Sequence, residues 1–241
     1  AGGVEIKIET NGLDLDDAAC DRLKAMKIAC VQISMDGATA AVHEKMRPGS
    51  GYKPAWDAID RLVERGLEPE LVFIPTRFNI KDSVPVYEQA AARGIRTFVT
   101  GPLMRLGRAA HAWDALACSQ EDWTEAVLGL KAAAAALKGP RLAVYPWGIQ
   151  QEMKTRAESP QSMVLVVPNG RVKLLNALPF AVADLKKERL ADAWPKVGAA
   201  WRSPTVQDFV RRAQSDATLL THANECWDLV NFGVNPIFLL T

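Results

Sequence analysis

Four polar or glycine-containing segments stand where apolar, strand-like stretches of the sequence end. Ser34 can both donate and accept a hydrogen bond, and Arg77 carries a planar guanidinium that suits a carboxylate. Gly101 lets a backbone approach a flat ring closely. The segments are Thr10-Asn11-Gly12, Ser34-Met35-Asp36-Gly37, Thr76-Arg77-Phe78-Asn79 and Gly101 through Ala109. Together they predict a site for a small ligand that has a carboxylate and a ring.

Each segment also has a simpler explanation. Asparagine and glycine at strand ends are common turn residues, and Arg77 alone could form a surface ion pair. Taken one at a time, the segments favour these simpler explanations. Taken together, in order along several strand ends, they favour a ligand site.

The histidines and cysteines do not form a recognisable metal-ligand pattern. His43, His111 and His222 are far apart in sequence, which favours surface or structural roles. A local zinc or iron–sulfur site needs a C-x-x-C pair or three clustered cysteines, and neither occurs. The cysteines are Cys20, Cys30, Cys118 and Cys226. We therefore expect no metal site built from this chain alone.

The sequence also lacks the common nucleotide-binding and hydrolase motifs. Nothing reads G-x-G-x-x-G between a strand and a helix, and there is no Walker A motif, no G-x-S-x-G and no H-E-x-x-H. The catalytic residues therefore stay unassigned.

The elements that must position the four segments alternate between strand and helix. Strands are predicted at 4–9, 30–35, 70–76, 95–99 and 141–145, and helices at 16–26, 53–65, 82–93 and 119–137. Such alternation is typical of βαβ units and a parallel sheet. In parallel α/β folds the ligand binds at the carboxyl ends of the strands, where the four segments lie.

The pattern changes after Tyr145. A polar stretch at 150–161 precedes two strand-like runs, which flank Pro168-Asn169-Gly170 and predict a β-hairpin. Short helices are expected near 186–194 and 205–213. We place a domain boundary near 146, with an α/β domain at 1–145 and a small α+β extension at 146–241.

Composition narrows the classes of protein. The 241 residues include 29 basic and 28 acidic side chains, a net charge of +1, and 49% apolar residues, which is typical of soluble globular proteins. The near-zero charge argues against a nucleic-acid partner. No apolar run is long enough to span a membrane, and the first residues lack a secretion signal. We expect a cytoplasmic protein with no membrane contact.

A series of short stretches, taken in order, resembles the radical S-adenosylmethionine (SAM) enzymes. In the first domain they are Ile8–Gly12, Val31–Gly37, His43–Arg47, Pro75–Asn79 and Gly107–Ala109. In the extension, Val167–Val172, Ala177–Phe180 and Leu185–Trp194 resemble the SPASM extension of the peptide-modifying branch. The resemblance implies a partial parallel (β/α) barrel of radical SAM type, followed by a small α+β SPASM-like extension.

The resemblance also implies S-adenosylmethionine and a 4Fe-4S cluster as cofactors, and a peptide as the substrate. Ser34 and Arg77 would lie against the ribose and the methionine carboxylate of SAM, and the Val99–Leu103 backbone beside the adenine. Asn11 and Gly12 would end a strand at the mouth of the site. The expected cofactor-binding residues are Asn11, Gly12, Ser34, Asp36, Arg77, Asn79, Val99, Gly101 and Leu103.

The sequence departs from the family at the cluster ligands. The three closely spaced cysteines that would hold the cluster, expected before Val4, are absent, as are the early strands of the barrel. Lys173, Leu174 and Leu175 stand where a cysteine of an auxiliary cluster is expected. Cys226 alone remains near the C-terminus.

Three functions stay open. The first is the C-terminal portion of a radical SAM peptide maturase, whose cluster-binding part lies on a second polypeptide or on a missing N-terminal segment. Its reaction would be hydrogen abstraction from a peptide side chain. The second is a degenerate, non-catalytic relative that binds a peptide or a partner enzyme, with the edge of the first strand covered by the tail 236–240. The third is an ordinary (β/α)-barrel lyase, which lacks a convincing lysine or metal-ligand set.

Overall fold

The structure is a computed structural model that describes residues 3–160 and 163–223. The chain forms two compact units, the first from Ala1–Leu103 and Ala115–Pro146, the second from Met104–Asp114 and Trp147–Thr241. The segment 104–114, which the sequence placed in the first domain, groups with the second unit. The physical reason is that Met104 and Leu106 pack against the apolar core of that unit.

Five parallel strands form the sheet of the first unit. They are β1 (Lys7–Thr10), β2 (Cys30–Ser34), β3 (Glu70–Phe73), β4 (Thr97–Thr100) and β5 (Arg141–Val144). Their order in the sheet follows the sequence, and all four pairings are parallel, so the predicted parallel sheet is confirmed. No described strand pairs with the outer side of β1. The tail 236–240, expected to cover that side, lies outside the described residues.

Helices connect these strands. In chain order the helices are α1 (Asp17–Ala25), α2 (Ala40–Met46), α3 (Tyr52–Glu64), α4 (Ser83–Ala92), α5 (Gly107–His111), α6 (Trp113–Leu116), α7 (Gln120–Ala136), α8 (Ile149–Glu158), α9 (Leu190–Trp201), α10 (Pro204–Ser215) and α11 (Leu220–Ala223). The helices α1, α3, α4 and α7 match the prediction. At the start of α7, Ser119 and Asp122 form a capping box, a motif that is typical of the first turn of a helix. No helix among the described residues is long and apolar enough to cross a membrane.

One face of the sheet carries the apolar core of the first unit. Ile33, Leu71 and Phe98 lie in register on neighbouring strands and are fully buried. The helices α1, α3, α4 and α7 pack on this face through side chains that include Cys20, Ile59, Leu62, Tyr87 and Leu130. Because each buried aliphatic or aromatic side chain contributes roughly 1.5–3 kcal/mol, this face holds the unit together.

A buried histidine fixes helix α2 to the loop that follows β2. His43 is 1% exposed, its Nδ1 accepts a hydrogen bond from the Asp36 N–H at 3.1 Å, and its Nε2 lies 2.8 Å from the Ser50 hydroxyl. Gly37 lets this loop lie close to α2, because a Cβ at position 37 would lie 2.4 Å from the backbone nitrogen of His43. An imidazole that accepts at Nδ1 is neutral, so this loop depends on an uncharged His43.

The second unit contains a small antiparallel sheet of β6 (Leu165–Val166), β7 (Arg171–Lys173) and β8 (Ala181–Asp184). The predicted hairpin joins β6 to β7, and Gly170 in its turn has φ of 88°, which glycine adopts without strain. Helix α8 fills most of the polar stretch at 150–161. It was missed because it buries few apolar side chains, chiefly Ile149 and Met153.

Helix α9 runs from Leu190 to Trp201 and not over 186–194 as predicted. Residues 186–188 form a turn instead, because Asp184 accepts hydrogen bonds from the N–H groups of Lys186 and Glu188. The helix continues through Pro195, although proline removes one helical hydrogen bond. Burial of Trp201 at its end explains why the helix persists: packing outweighs the lost bond.

Helix α7 offers a matched test of the core. Leu130 is fully buried, whereas Leu128 is 61% exposed on the same helix. We expect Leu130→Ala to lower the free energy of unfolding by about 2–5 kcal/mol, because it leaves a cavity. Leu128→Ala should change it by less than about 0.5 kcal/mol. Urea denaturation followed by circular dichroism measures both, and equal losses would contradict the assigned core.

The neutral state of His43 predicts a pH dependence of stability. Burial lowers the pKa of His43, and the Asp36 charge offsets this only in part. The unfolded chain therefore binds a proton more readily, so the free energy of unfolding falls as the pH drops below about 6.5. The slope from this group is at most about 1.4 kcal/mol per pH unit. Urea denaturation between pH 7.5 and 5 should show a smaller loss in His43→Asn, and identical slopes would refute the assignment.

Candidate functional site

The carboxyl ends of the parallel strands meet at one edge of the sheet in the first unit. The predicted cofactor residues lie at or after these ends: Asn11 and Gly12 after β1, Ser34 and Asp36 at the end of β2, Arg77 and Asn79 after β3, and Val99, Gly101 and Leu103 at the end of β4. The structure thus gathers them at a single edge, which we take as the candidate site.

Ser34 and Val99 share the sheet face opposite the core. Ser34 lies in register with Val72, and Val72 with Val99. Their neighbours Ile33 and Phe98 face the core, and side chains alternate along a strand, so Ser34 and Val99 face the other way. With neighbouring strands about 4.8 Å apart, the backbones of Ser34 and Val99 are about 10 Å apart, a span that suits one small ligand.

Asp36 carries the clearest sign of a missing partner. The residue is 5% exposed, and its Oδ2 accepts a hydrogen bond from the Arg47 Nε in an ion pair. Its Oδ1 is buried and has no hydrogen-bond partner among the described residues. Leaving a buried acceptor unpaired costs roughly 1–3 kcal/mol, more for a charged group. A ligand or water that donates a hydrogen bond fits at this oxygen.

Asn79 joins the loop after β2 to the loop after β3. This fully buried side chain donates through Nδ2 to the carbonyls of Asp36 at 3.0 Å and Ile74 at 3.1 Å. Its Oδ1 accepts from the N–H of Thr76 at 2.6 Å and from the Thr76 hydroxyl at 2.9 Å. These bonds make Asn79 a positioning residue for Asp36, and its contact with a cofactor stays a prediction.

Packing alone accounts for glycine at two of the predicted positions. Gly12 has φ of 83°, and a Cβ there would lie 3.1 Å from the Ala58 Cβ. A Cβ at Gly101 would lie 2.9 Å from the Cβ of Tyr145, which follows β5. The close neighbour of Gly101 is therefore a tyrosine of this chain, and contact of either glycine with a cofactor stays a prediction.

The remaining predicted residues lie at the surface of the first unit. Asn11 and Arg77 are exposed and Leu103 is half-buried. The Arg77 N–H donates to the Leu116 carbonyl at 2.8 Å, which fixes the backbone. No hydrogen bond or ion pair joins the Arg77 guanidinium to another residue in the described part of the chain. Arg77 therefore remains available to an anionic group.

Arg47 is the residue that sequence reasoning missed. It follows α2 and pairs with Asp36, eleven positions earlier. No local pattern links an acid and a base across that distance, and only the resemblance over His43–Arg47 pointed to this stretch. The ion pair uses Oδ2 of Asp36 and leaves Oδ1 as an open acceptor.

The described residues do not fit an iron–sulfur cluster. No three side chains of histidine, cysteine, aspartate or glutamate gather as metal ligands within residues 3–160 and 163–223. Leu174 and Leu175, where the resemblance placed a cysteine, are buried in the apolar core of the second unit. Cys226 lies outside the described residues. The site at the strand ends, in contrast, fits a polar organic ligand.

The first part of the chain is similar in sequence to known proteins. The sequence model of the radical SAM superfamily matches residues 1–100. The mycofactocin maturase MftC of Mycolicibacterium smegmatis is 32% identical over 114 residues, which are 47% of this chain and 29% of that protein. The match therefore spans under a third of the length of this relative.

Solved structures share the fold. SuiB of Streptococcus suis, bound to its precursor peptide SuiA, aligns with a TM-score of 0.65 at 10% identity over 83% of this chain and 50% of SuiB. The enzyme anSMEcpe with bound AdoMet aligns with a TM-score of 0.58 at 14% identity, over 81% of this chain and 58% of that one. The predicted partial barrel of radical SAM type is thus confirmed. Residues 1–100 of this chain are thus similar in sequence to the radical SAM superfamily.

Proposed function

We propose that the chain is the C-terminal part of a radical SAM peptide-modifying enzyme and that it binds S-adenosylmethionine at the carboxyl edge of its parallel sheet. The observation that carries this proposal is the buried, unpartnered Oδ1 of Asp36 at that edge. A ligand with hydroxyl or ammonium donors satisfies this oxygen, and SAM has both. The radical SAM domain makes SAM the ligand of choice among such molecules.

The residues at this edge bind different parts of the cofactor. Ser34 and Asp36 offer hydrogen-bonding groups for the polar part of the cofactor, and Arg77 offers a guanidinium for its carboxylate. The Val99–Leu103 segment lies beside the adenine. Asn79 and Arg47 hold Asp36 in place through the bonds described above. When bound, SAM is the precursor of the radical that this class of enzyme uses.

The peptide substrate is proposed from the relatives. One relative is a mycofactocin maturase, and the structure of SuiB contains a bound precursor peptide. Because the described residues hold no cluster ligands, we assign cluster binding to residues outside them, on a further segment or on a second polypeptide. The radical SAM match removes the reason to consider an ordinary lyase.

A non-catalytic relative is the second candidate. The observation that favours it is the apolar packing of Leu174 and Leu175 at the place of the auxiliary-cluster ligand. Such a protein binds a peptide or a partner enzyme and performs no radical chemistry. Formation of 5′-deoxyadenosine from SAM by the chain with its cluster-bearing partner separates the two candidates: the enzyme forms it, and the non-catalytic relative does not.

Binding of SAM tests the proposed site directly. We expect the chain to bind SAM in equilibrium dialysis, and Ser34→Ala to weaken binding about tenfold through loss of one hydrogen bond to the cofactor. Ser203→Ala is the control, because it removes the cap of α10 in the second unit and lowers stability by about 1 kcal/mol without changing a predicted cofactor residue. The absence of SAM binding, or equal effects of the two variants, would reject the site.

Arg77 can be tested against a ligand that lacks the carboxylate. We expect Arg77→Ala to weaken SAM binding about tenfold, because a charge-assisted bond is lost. Binding of methylthioadenosine, which has no amino acid part, should not change. Arg96→Ala provides the control, since Arg96 precedes β4 at the opposite edge of the sheet and pairs with Glu68. Equal weakening of both ligands would show that Arg77 does not bind the carboxylate.

A further inference from the structure

The sheet face opposite the core bears a row of polar side chains. Gln32, Glu70, Thr97 and Arg141 lie in register on β2, β3, β4 and β5. They alternate with the core residues, so all four point to the side of the sheet opposite the helices α1, α3, α4 and α7. Lys7 of β1 joins them through its contact with Glu70. We call these five residues the polar face.

Glu70 is already satisfied within the polar face. Its Oε2 accepts hydrogen bonds from the Lys7 ammonium at 2.8 Å and from the Gln32 amide at 3.3 Å. Burial raises the pKa of Glu70, but hydrogen bonds from Lys7 and the Cys30 thiol and the charges of Lys7 and Arg141 outweigh burial and lower it. Glu70 is thus ionised and paired, and its charge is balanced by Lys7.

Thr97 is the unsatisfied member of the row. The residue is 1% exposed, and its hydroxyl has no hydrogen-bond partner among the described residues. It stands between Glu70 and Arg141 in register. A buried hydroxyl without a partner costs free energy, so a ligand that accepts its hydrogen bond is favoured at this position.

The positive charge of Arg141 is not balanced by an ion pair, because the nearby acid Glu70 is already paired with Lys7. It is exposed, it lies next to Thr97 in register, and no hydrogen bond or ion pair connects its side chain to another described residue. Glu70 acts on it only through the field of an already paired carboxylate. The acid Glu9 lies in the same row on β1, four strand spacings away, or about 19 Å. The neighbourhood of Arg141 therefore favours an anion.

We propose that Thr97 and Arg141 form a subsite for a carboxylate of the peptide substrate. The subsite rests on the proposed function, since it takes the bound molecule to be a peptide that is modified next to SAM. The row of Thr97 lies two residues from the row of Ser34, or about 7 Å along the strands. A peptide residue held at Thr97 and Arg141 thus extends toward the cofactor edge.

The donors match a carboxylate in number. A guanidinium gives two parallel N–H groups to the two oxygens of a carboxylate, and the threonine hydroxyl adds a third donor. The nearby Glu70 disfavours a doubly charged phosphate, which would lie close to another negative charge. An acidic side chain and a C-terminal carboxylate share this chemistry.

Three short peptides serve as probes of the subsite. Acetyl-Gly-Glu-Gly-amide has a side-chain carboxylate, acetyl-Gly-Gly-Gly has only a C-terminal one, and acetyl-Gly-Gln-Gly-amide is neutral. Titrations of the whole chain, followed by NMR, measure their affinities. We expect at least one carboxylate peptide to bind about tenfold more tightly than the neutral peptide, and the better of the two identifies the source. Equal affinity for all three would overturn the proposal.

Thr97→Val and Arg141→Gln locate the binding. We expect each to weaken the carboxylate peptide about tenfold, and Arg141→Lys to keep part of the affinity because the charge remains. Thr100→Val is the matched control: Thr100 is on the same strand, has an equally buried and unpartnered hydroxyl, and lies in register with the core residue Phe73. Both valine variants should melt no lower than the parent, because each replaces an unpaired buried hydroxyl by a methyl group.

The outcomes separate this subsite from the cofactor site. SAM binding should be unchanged in Arg141→Gln, since SAM is assigned to the Ser34 edge. Weakening of SAM and of the peptide to the same extent would overturn the proposal, as would a loss of peptide binding in Thr100→Val. If the chain binds no SAM but discriminates the carboxylate peptides through Arg141, the proposed function fails and the anion site stands.

Discussion

The parallel pairing of five short strands is the constraint on which the first unit depends. Parallel neighbours cannot be joined by tight turns, so each crossover carries a helix, and those helices bury one face of the sheet. The same pairing brings every carboxyl end to one edge. Segments as distant in sequence as those of Asn11 and Leu103 therefore lie at the same edge, in loops outside the apolar core.

The two faces of this sheet have different tasks, and Thr97 and Thr100 on β4 illustrate the difference. On the face of Thr100, apolar side chains such as Phe73 and Phe98 stack against the helices and give stability. On the face of Thr97, one row of side chains that includes Glu70 is polar, whereas the next row includes Val72 and Val99. A parallel sheet normally buries both faces under apolar side chains. The polar row on the second face contributes little apolar burial, and we propose that it serves a ligand.

The described residues of the second unit form an apolar core of their own. Its core joins the sheet to α8, α9 and α10, and Leu174, Val197 and Phe209 are buried together there. Apolar burial can supply the stability that a structural metal gives to small domains. The folded state of this unit therefore does not depend on a cluster among the described residues.

The sequence by itself determined the elements whose signals are local. Apolar runs that alternate with helical segments predicted the five strands, and the Asn-Gly turn at Gly170 predicted the hairpin of the second unit. Helices α2 and α8 were not predicted, because short or weakly apolar helices show no clear periodicity of hydrophobic residues. The tertiary structure alone decided that Arg47 pairs with Asp36 and that Thr97 stays without a partner. These are contacts between distant segments, and a linear pattern does not encode which side chains meet once the strands align.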